Sequence, residues 1–315
     1  MIRIAIVGTS KISDEFAKAI EKVEGCELKV IYSRDLKKGL EFGKRYGVDD
    51  IVVDFQELCK KENVDMVYIA SPNSLHYGQT LELLKSKKHV LCEKPMGIDE
   101  DEVEEMYRVA YENKVTLMEA MKNTFLPNFK SIEKNLYKIG KIRGFIGSFC
   151  QYSSRYDNLK KGEVTNIFNP KFGGGAHLDI GVYPLYFALR LFGIPMNTKV
   201  INYIVDSGVS GIGSALLEYK NMAGVIVYSK ITNSYIGSEI QGENGSILID
   251  SISNIQDVKI HYRDGKIENI SVSQEENSMI YELEEFINLI RNRKFESEIN
   301  TKEISKAVIR ILTQK

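Results

Sequence analysis

The sequence predicts an α/β chain of two domains. Residues 1–121 form a doubly wound parallel sheet, and residues 122–315 form an α/β domain with a largely antiparallel open sheet. Three observations predict this. The first 120 residues alternate short β-branched apolar runs with stretches of helical period, the pattern of successive βα units. From residue 199 onward strand-like runs follow one another at short spacing, without helices between them. The length of 315 residues, with 43% hydrophobic content, supplies apolar surface for two modest cores.

In order, "IRIAIVG", "ELKVIYS", "DIVV", "DMVYIA", "HVLCEK" and "VTLMEA" are near-continuous apolar runs, suited to strands buried on both faces. After residue 121, "FLPNFKSIEKNLYKI" reads as a helix and "IRGFIGSFCQYSS" as a strand. The glycine-led stretch "GGGAHLDIGVYPLYFALRLFG", residues 173–193, reads as a second helix. "TKVINYIVD", "SALLEYK", "AGVIVYSKI", "SEIQGE", "GSILIDS", "DVKIHYRD" and "KIENISV" are the later strands, and the Asp-Gly in "YRDGKIENI" is a hairpin signature. Helices near 278–293 and 301–313 close the chain.

Lys and Arg number 42 against 43 Asp and Glu, a net charge of -1, so no global field recruits nucleic acid or an anionic membrane. A small neutral or anionic molecule is the expected partner. No run approaches the roughly 20 apolar residues of a membrane span. Cys26, Cys59, Cys92 and Cys150 are scattered without a CxxC pair, so no metal site or disulfide framework is expected. Reduced thiols and a cytoplasmic location follow as expectations.

"GTSKISDEFAKAI" directly follows the first strand. It places Gly8, Thr9, Ser10, Lys11 and Ile12 at the turn where the amides of a helix N-terminus can hold a pyrophosphate. Ser10 and Ser13 stand where GxGxxG has its second and third glycines, so an ordinary strand-to-helix turn is the competing reading. The second strand ends in "YSRDLKKG". An acid there would repel a ribose 2′-phosphate, whereas Ser33, Arg34 and Lys38 can hydrogen-bond and neutralise one. This favours NADP, with NAD as the alternative; a solvated helix start is the plainer reading of Arg34 and Lys38.

"ASPNSLHYGQTLELLKSKKHVLCEKPMGI", residues 70–98, is far more specific, and closely resembles the signature of the Gfo/Idh/MocA oxidoreductases. The likeness runs through "LMEAM" and "GGGAHLDIGVYPL" to "MIYELEEFINLI". It most resembles the branch of dimeric dihydrodiol dehydrogenases and NADP-linked xylose dehydrogenases, with Asp-x-x-x-Tyr where inositol dehydrogenases have His. The resemblance implies an N-terminal Rossmann domain and a C-terminal domain whose open sheet forms a homodimer interface. It implies cofactor contacts at Ser71, Asn73, His76, Glu93 and Lys94, and a catalytic set of Lys94, Tyr183 and Asp179. Pro95 matches a proline that often follows a cis bond. His76 is either a cleft contact or a helix-surface residue.

The chemistry also stands on the residues themselves. Hydride transfer requires a group that exchanges the proton of the substrate oxygen. A free phenol has a pKa near 10, and a nearby ammonium lowers it, so Lys94 can make Tyr183 usable. Residues i and i+4 share a helix face, which sets Asp179 beside Tyr183 behind glycines that let the chain approach the cofactor. A packed helix start is the competing reading of this pair, and "EKP" is what overturns it. His177 stands where the branch has an aliphatic residue and is either a second proton carrier or a structural histidine. Lys122, Asn123 and Thr124 replace the family's Trp-Thr-Arg-like segment, so the substrate cannot be inherited. Tyr152, Tyr156 and Arg155 are either pocket residues or a plain strand edge.

The reading is an NADP-preferring dehydrogenase or reductase acting on a carbinol or carbonyl of a sugar-like molecule. Its rivals are a non-catalytic nucleotide-binding sensor of the same fold and a structural protein.

Overall fold

The computed structural model describes residues 1–314. In chain order the elements are β1 (Ile2–Val7), α1 (Lys11–Lys22), β2 (Cys26–Tyr32), α2 (Leu36–Tyr46), β3 (Ile51–Val52), α3 (Phe55–Lys60), β4 (Met66–Ile69), α4 (Asn73–Lys85), β5 (His89–Glu93), α5 (Glu100–Asn113) and β6 (Leu117–Ala120). There follow α6 (Pro127–Asn135), β7 (Ile142–Cys150), α7 (Ser154–Lys160), a π-helix (His177–Gly181), α8 (Val182–Phe192), β8 (Asn197–Ile204), β9 (Ser210–Glu218) and β10 (Ala223–Ser229). Last come β11 (Ser238–Gly242), β12 (Gly245–Ile249), β13 (Val258–Tyr262), β14 (Ile267–Asn269), α9 (Met279–Arg291) and α10 (Lys302–Leu312). None of the described helices is long and apolar enough to cross a membrane.

The chain divides into two compact units, residues 1–120 with 275–302, and residues 121–274 with 303–315. The sequence predicts a second domain unbroken from 122 to 315. The structure instead returns residues 275–302 to the first unit. Three contacts tie them there: Asn277 donates to the Glu15 carbonyl at 2.8 Å, Leu117 N–H to the Phe295 carbonyl at 3.0 Å, and the Thr116 hydroxyl to the Lys294 carbonyl at 2.8 Å.

The first unit is a six-stranded sheet in the order β3-β2-β1-β4-β5-β6, every pairing parallel. Strands β4, β5 and β6 are buried along nearly their whole length, as their uninterrupted apolar runs require. Phe16 of α1 stacks on Tyr68 of β4 with ring centroids 3.7 Å apart. The buried Tyr68 hydroxyl donates to Glu93 Oε1 at 2.5 Å, so the end of β5 is tied to the core of β4.

The second unit is an eight-stranded sheet in the order β14-β13-β12-β11-β7-β10-β9-β8. Its pairings are antiparallel except β7 with β10, because β7 precedes the α7–α8 excursion and β10 follows it. The predicted Asp264-Gly265 hairpin joins β13 to β14, with the Tyr262 N–H donating to the Lys266 carbonyl at 2.9 Å. Phe145 of β7, Phe187 of α8 and Phe129 of α6 meet as one aromatic layer on the inner face. The other face stays largely open. Leu216, Val225, Ile146, Glu239 and Leu248 follow one another across β9, β10, β7, β11 and β12 in a single register row. Leu216 is 55% exposed, and Ile201 and Tyr203 of β8 are each 60% exposed.

Where "GGGAHLDIGVYPLYFALRLFG" reads as one helix, the structure has a π-helix running into α8. Pro184 supplies the reason: it lacks an N–H and its ring crowds the carbonyl four residues back, so the turn ahead of it widens.

Buried Asn128 of α6 pins the segment that follows β12. Its amide donates to the Ile255 carbonyl at 2.8 Å, and its carbonyl oxygen accepts from Val272 N–H at 2.6 Å. Asn128→Ala takes the partner from the Val272 N–H and leaves the Ile255 carbonyl with only the Gln274 amide, at 3.2 Å. The expected loss is about 1–3 kcal/mol in the stability of the second unit, read as a lower urea midpoint with unchanged slope.

Candidate active site

In the first unit the predicted residues gather at the carboxyl ends of the strands. Gly8 leaves β1 with φ +106°, and a Cβ there would stand 2.9 Å from the Ala70 carbonyl at the end of β4, so only glycine makes this turn. Between β1 and β4 the strand order reverses, the usual place for a nucleotide in such a sheet. Thr9 and Ser10 lead into α1, which starts with Lys11 and Ile12. Ser10 makes no side-chain cap, so the first amides of this 12-residue helix have neither a helical nor a cap partner. Those amides fit a phosphate. The acid in the same turn, Asp14, is neutralised by Lys18 at 2.8 Å and by Arg45, and receives the Tyr46 hydroxyl at 2.6 Å. Hydrogen bonds from Lys18 and Tyr46 hold its carboxyl below its usual pKa.

At the end of β2 the hydroxyl of buried Ser33 donates to the Asp35 carbonyl at 2.9 Å. Asp35 caps α2 by accepting the Lys38 N–H at 3.2 Å, and its carboxylate lies 3.8 Å from the Lys38 ammonium. Arg34 is exposed and makes no ion pair among the described residues. Of the expected trio, Arg34 is therefore the charge free to meet a phosphate, while Lys38 is shared with Asp35.

At the end of β4 the Ser71 hydroxyl donates to Gln79 at 2.6 Å, and Asn73 opens α4. His76 is buried rather than on the helix surface. Its Nδ1 faces the Pro95 carbonyl and its Nε2 the Ser71 carbonyl, both at 2.8 Å, so one ring joins the segments that leave β4 and β5. Burial lowers its pKa, against the two carbonyls, and the Lys94 charge adds to the fall. Glu93 accepts the Lys94 N–H at 3.2 Å, and the Lys94–Pro95 bond is cis. Glu119 at the end of β6 accepts the Met96 N–H at 3.0 Å, a support the sequence reading did not single out.

The second unit holds Asp179 and Tyr183, on either side of the junction between the π-helix and α8. Tyr183 sets its ring edge-on to Phe149 of β7, centroids 5.4 Å apart. Asp179 N–H donates to the Gly175 carbonyl at 3.0 Å, and Asp179 Oδ2 lies 2.9 Å from the Lys230 ammonium. The glycines ahead of this helix answer to their own chain. A Cβ on Gly174 would stand 2.7–2.8 Å from the carbonyls of Ile167, Asn166 and Asn169, and Gly175 has φ +125° against the His177 ring.

His177 is held by Ser210, whose Oγ accepts its N–H at 3.1 Å and meets Nδ1 at 2.6 Å. Burial pushes its pKa down to about 4, so the ring is neutral near pH 7. Asn123 and Thr124 are buried and bond to the carbonyls of Ile252 and Met121. The Tyr152 hydroxyl donates to Asp157 at 2.7 Å and accepts from Lys160 at 2.9 Å, while Arg155 is exposed.

Lys230 is the residue sequence reasoning missed. Gly224, Ile226 and Tyr228 of β10 point inward in alternation, and Lys230 is next in that series. A lysine in an inward-facing series is the signal that was there to find.

A model of the oxidoreductase family with an NAD-binding Rossmann fold, GFO_IDH_MocA, matches residues 2–121, and one of the GFO/IDH/MocA C-terminal domain matches residues 137–248. IolU of Bacillus subtilis (strain 168), a scyllo-inositol 2-dehydrogenase (NADP(+)), is 46% identical over 314 residues, covering 100% of this chain and 96% of that protein. The trans-1,2-dihydrobenzene-1,2-diol dehydrogenase of Mus musculus is 29% identical over 222 residues, covering 69% of this chain and 65% of that protein. Levoglucosan dehydrogenase in complex with NADH and levoglucosan shares the fold, with a TM-score of 0.87 at 19% identity, covering 99% of this chain and 95% of that one. Two family domains in tandem on one chain, and a relative matched from end to end, lead to one conclusion: the chain belongs to the Gfo/Idh/MocA family of nicotinamide-nucleotide-dependent oxidoreductases.

Proposed function

We propose that the enzyme oxidises a secondary hydroxyl of a cyclic polyol of the inositol type, or reduces the matching ketone, with NADP as the preferred nucleotide and NAD as the lesser one. The observation that carries this reading is the end-to-end likeness to an NADP(+)-linked scyllo-inositol dehydrogenase in a chain that keeps Lys94, Asp179 and Tyr183. A ligand sensor has no need of such an acid–base set.

The nicotinamide supplies the hydride acceptor or donor. In this reading the Tyr183 phenol takes up or returns the proton of the reacting oxygen, and the Lys94 ammonium stabilises its phenolate. Asp179 accepts a hydrogen bond from a substrate hydroxyl and so orients the ring. His177, neutral near pH 7 and bound to Ser210, is assigned a structural role. Gly8, Thr9, Ser10, Lys11 and Ile12 hold the pyrophosphate, Ser33, Arg34 and Lys38 the ribose phosphate, and Ser71, Asn73, His76 and Glu93 border the nicotinamide half. The first unit is thus the nucleotide-binding part and the second the substrate-binding and dimerising part of a cytoplasmic homodimer. Four free cysteines and the open apolar face across β8, β9, β10 and β7 support that last step.

Turnover is tested with NADP+ and scyllo-inositol, followed through NADPH absorbance, beside myo-inositol, xylose and a dihydrodiol. Tyr183→Phe is expected to lower kcat by about 10²–10⁴ with NADPH affinity unchanged, Lys94→Met to abolish most turnover, and the double variant to cost little more than either alone. Near-native turnover by Tyr183→Phe would make its phenol a packed ring only.

Nucleotide choice is read by calorimetry. Arg34→Ala is expected to weaken NADPH about tenfold or more and to leave NADH unchanged, since a charge-assisted phosphate bond is worth about 1.5–3 kcal/mol. Equal affinity of the unaltered enzyme for both nucleotides refutes the preference.

Light scattering at micromolar concentration is expected to give the mass of a dimer. Leu216→Asp, on the open face, should give a folded monomer. A monomeric unaltered chain refutes the assembly.

A further inference from the structure

Lys230 is a buried lysine of the second unit beside Asp179. It lies one residue beyond β10, its backbone fixed on both sides: its N–H donates to the Gly211 carbonyl and its carbonyl accepts from Ser153 N–H, each at 2.9 Å. The side chain is therefore aimed by the sheet. It is only 11% exposed, and among the described residues its ammonium has a single ion-pair partner, Asp179, at 2.9 Å. An ammonium carries three N–H donors. One carboxylate oxygen lies beside one of them, and the low exposure of the side chain raises the value of any oxygen that reaches the others.

The position is not explained by packing. The inner face of β10 is otherwise Gly224, Ile226 and Tyr228, and an aliphatic side chain would continue it. A buried ion pair is weak support for stability, since an apolar replacement of like volume is often as stable. The partner is also the carboxylate that the family pattern places at the reacting centre. A carboxylate and an ammonium 2.9 Å apart present an acceptor beside a donor. That is the complement of two neighbouring hydroxyls, one giving its hydrogen to Asp179 and the other offering its lone pair to Lys230.

We propose that Lys230 is a substrate-binding residue that fixes Asp179 and reads a vicinal diol, so the enzyme selects cyclic polyols carrying a hydroxyl next to the reacting carbon. This rests on the polyol reading above.

Two measurements on the full-length enzyme test it. In the first, the Asp179 carboxyl is titrated by ¹³C NMR without substrate. Lys230→Met is expected to raise its midpoint by about one pH unit or more over the unaltered enzyme, because the neighbouring positive charge is gone, and Lys230→Arg to leave it unmoved. In the second, scyllo-inositol is compared with its deoxy analogue lacking one hydroxyl beside the reacting carbon. The unaltered enzyme should lose about a hundredfold or more in kcat/KM on the analogue. In Lys230→Met, KM for scyllo-inositol should rise about tenfold or more and most of the deoxy penalty should vanish, with NADPH affinity unchanged. An Asp179 midpoint unmoved by Lys230→Met, or a deoxy penalty that persists in it, overturns the proposal. If the unaltered enzyme turns over no polyol, the proposed function fails instead, and the carboxyl titration then decides the role of Lys230.

Discussion

The first unit depends on the close passage of two chain segments. β1 and β4 are neighbours in the sheet, and their exits diverge, one toward α1 and the other toward α4. That divergence brings Gly8 so near the Ala70 carbonyl that no side chain fits between them. Two residues on, Ser10 makes no side-chain cap, and α1 enters with its first amides uncapped. The neighbouring exits are then fixed in turn. His76 links the segment after β4 to the segment after β5, Glu93 ties Tyr68 to the start of the Lys94 loop, and Glu119 holds Met96 from β6. A row of strand ends is therefore cross-braced by buried polar groups, each with a named partner. Such bracing costs desolvation and repays it in position, the property that a site for hydride transfer needs.

The second unit reaches rigidity differently. Its sheet carries the aromatic layer of Phe145, Phe187 and Phe129, and α8 rests on that layer. The functional end of the helix is not regular. Pro184 removes the N–H that an α-helical turn would have used, and the widened turn from His177 to Gly181 carries Asp179. Glycines at 174 and 175 let the incoming chain fold under that turn against its own carbonyls, and Ser210 clamps His177 from β9. Helix irregularity is tolerated here because the groups it strands find side-chain or backbone partners close by.

Much of this was legible in the sequence, for identifiable reasons. "DMVYIA" and "HVLCEK" betray strands buried on both faces because a parallel sheet covered by helices leaves no polar alternation. The β13–β14 hairpin was legible because Gly265 takes the positive φ its turn demands. The return of residues 275–302 to the first unit was not. An amphipathic pattern shows that α9 buries one face, but its partner α1 lies more than 250 residues away, and periodicity carries no address. The π-helix was hidden because a proline three residues into an α-helix is ordinary, and its effect shows only upstream. Asp35 and the cap it makes for α2 were hidden beside the more conspicuous Arg34 and Lys38.

Lys230 shows the limit most clearly. Alone at the end of a strand, a lysine reads as a solvated terminus, and most such residues are. What separates this one is parity: two residues beyond Tyr228 it still points inward, onto the face where the π-helix lies. Its charge then has to be met, and Asp179 meets it. The catalytic acid of the family pattern is thus held from two directions, by the helix that carries it and by a strand more than fifty residues later. Both partners belong to the second unit, so in the proposed reading a substrate hydroxyl between Asp179 and Lys230 is positioned within that unit, which also carries Tyr183.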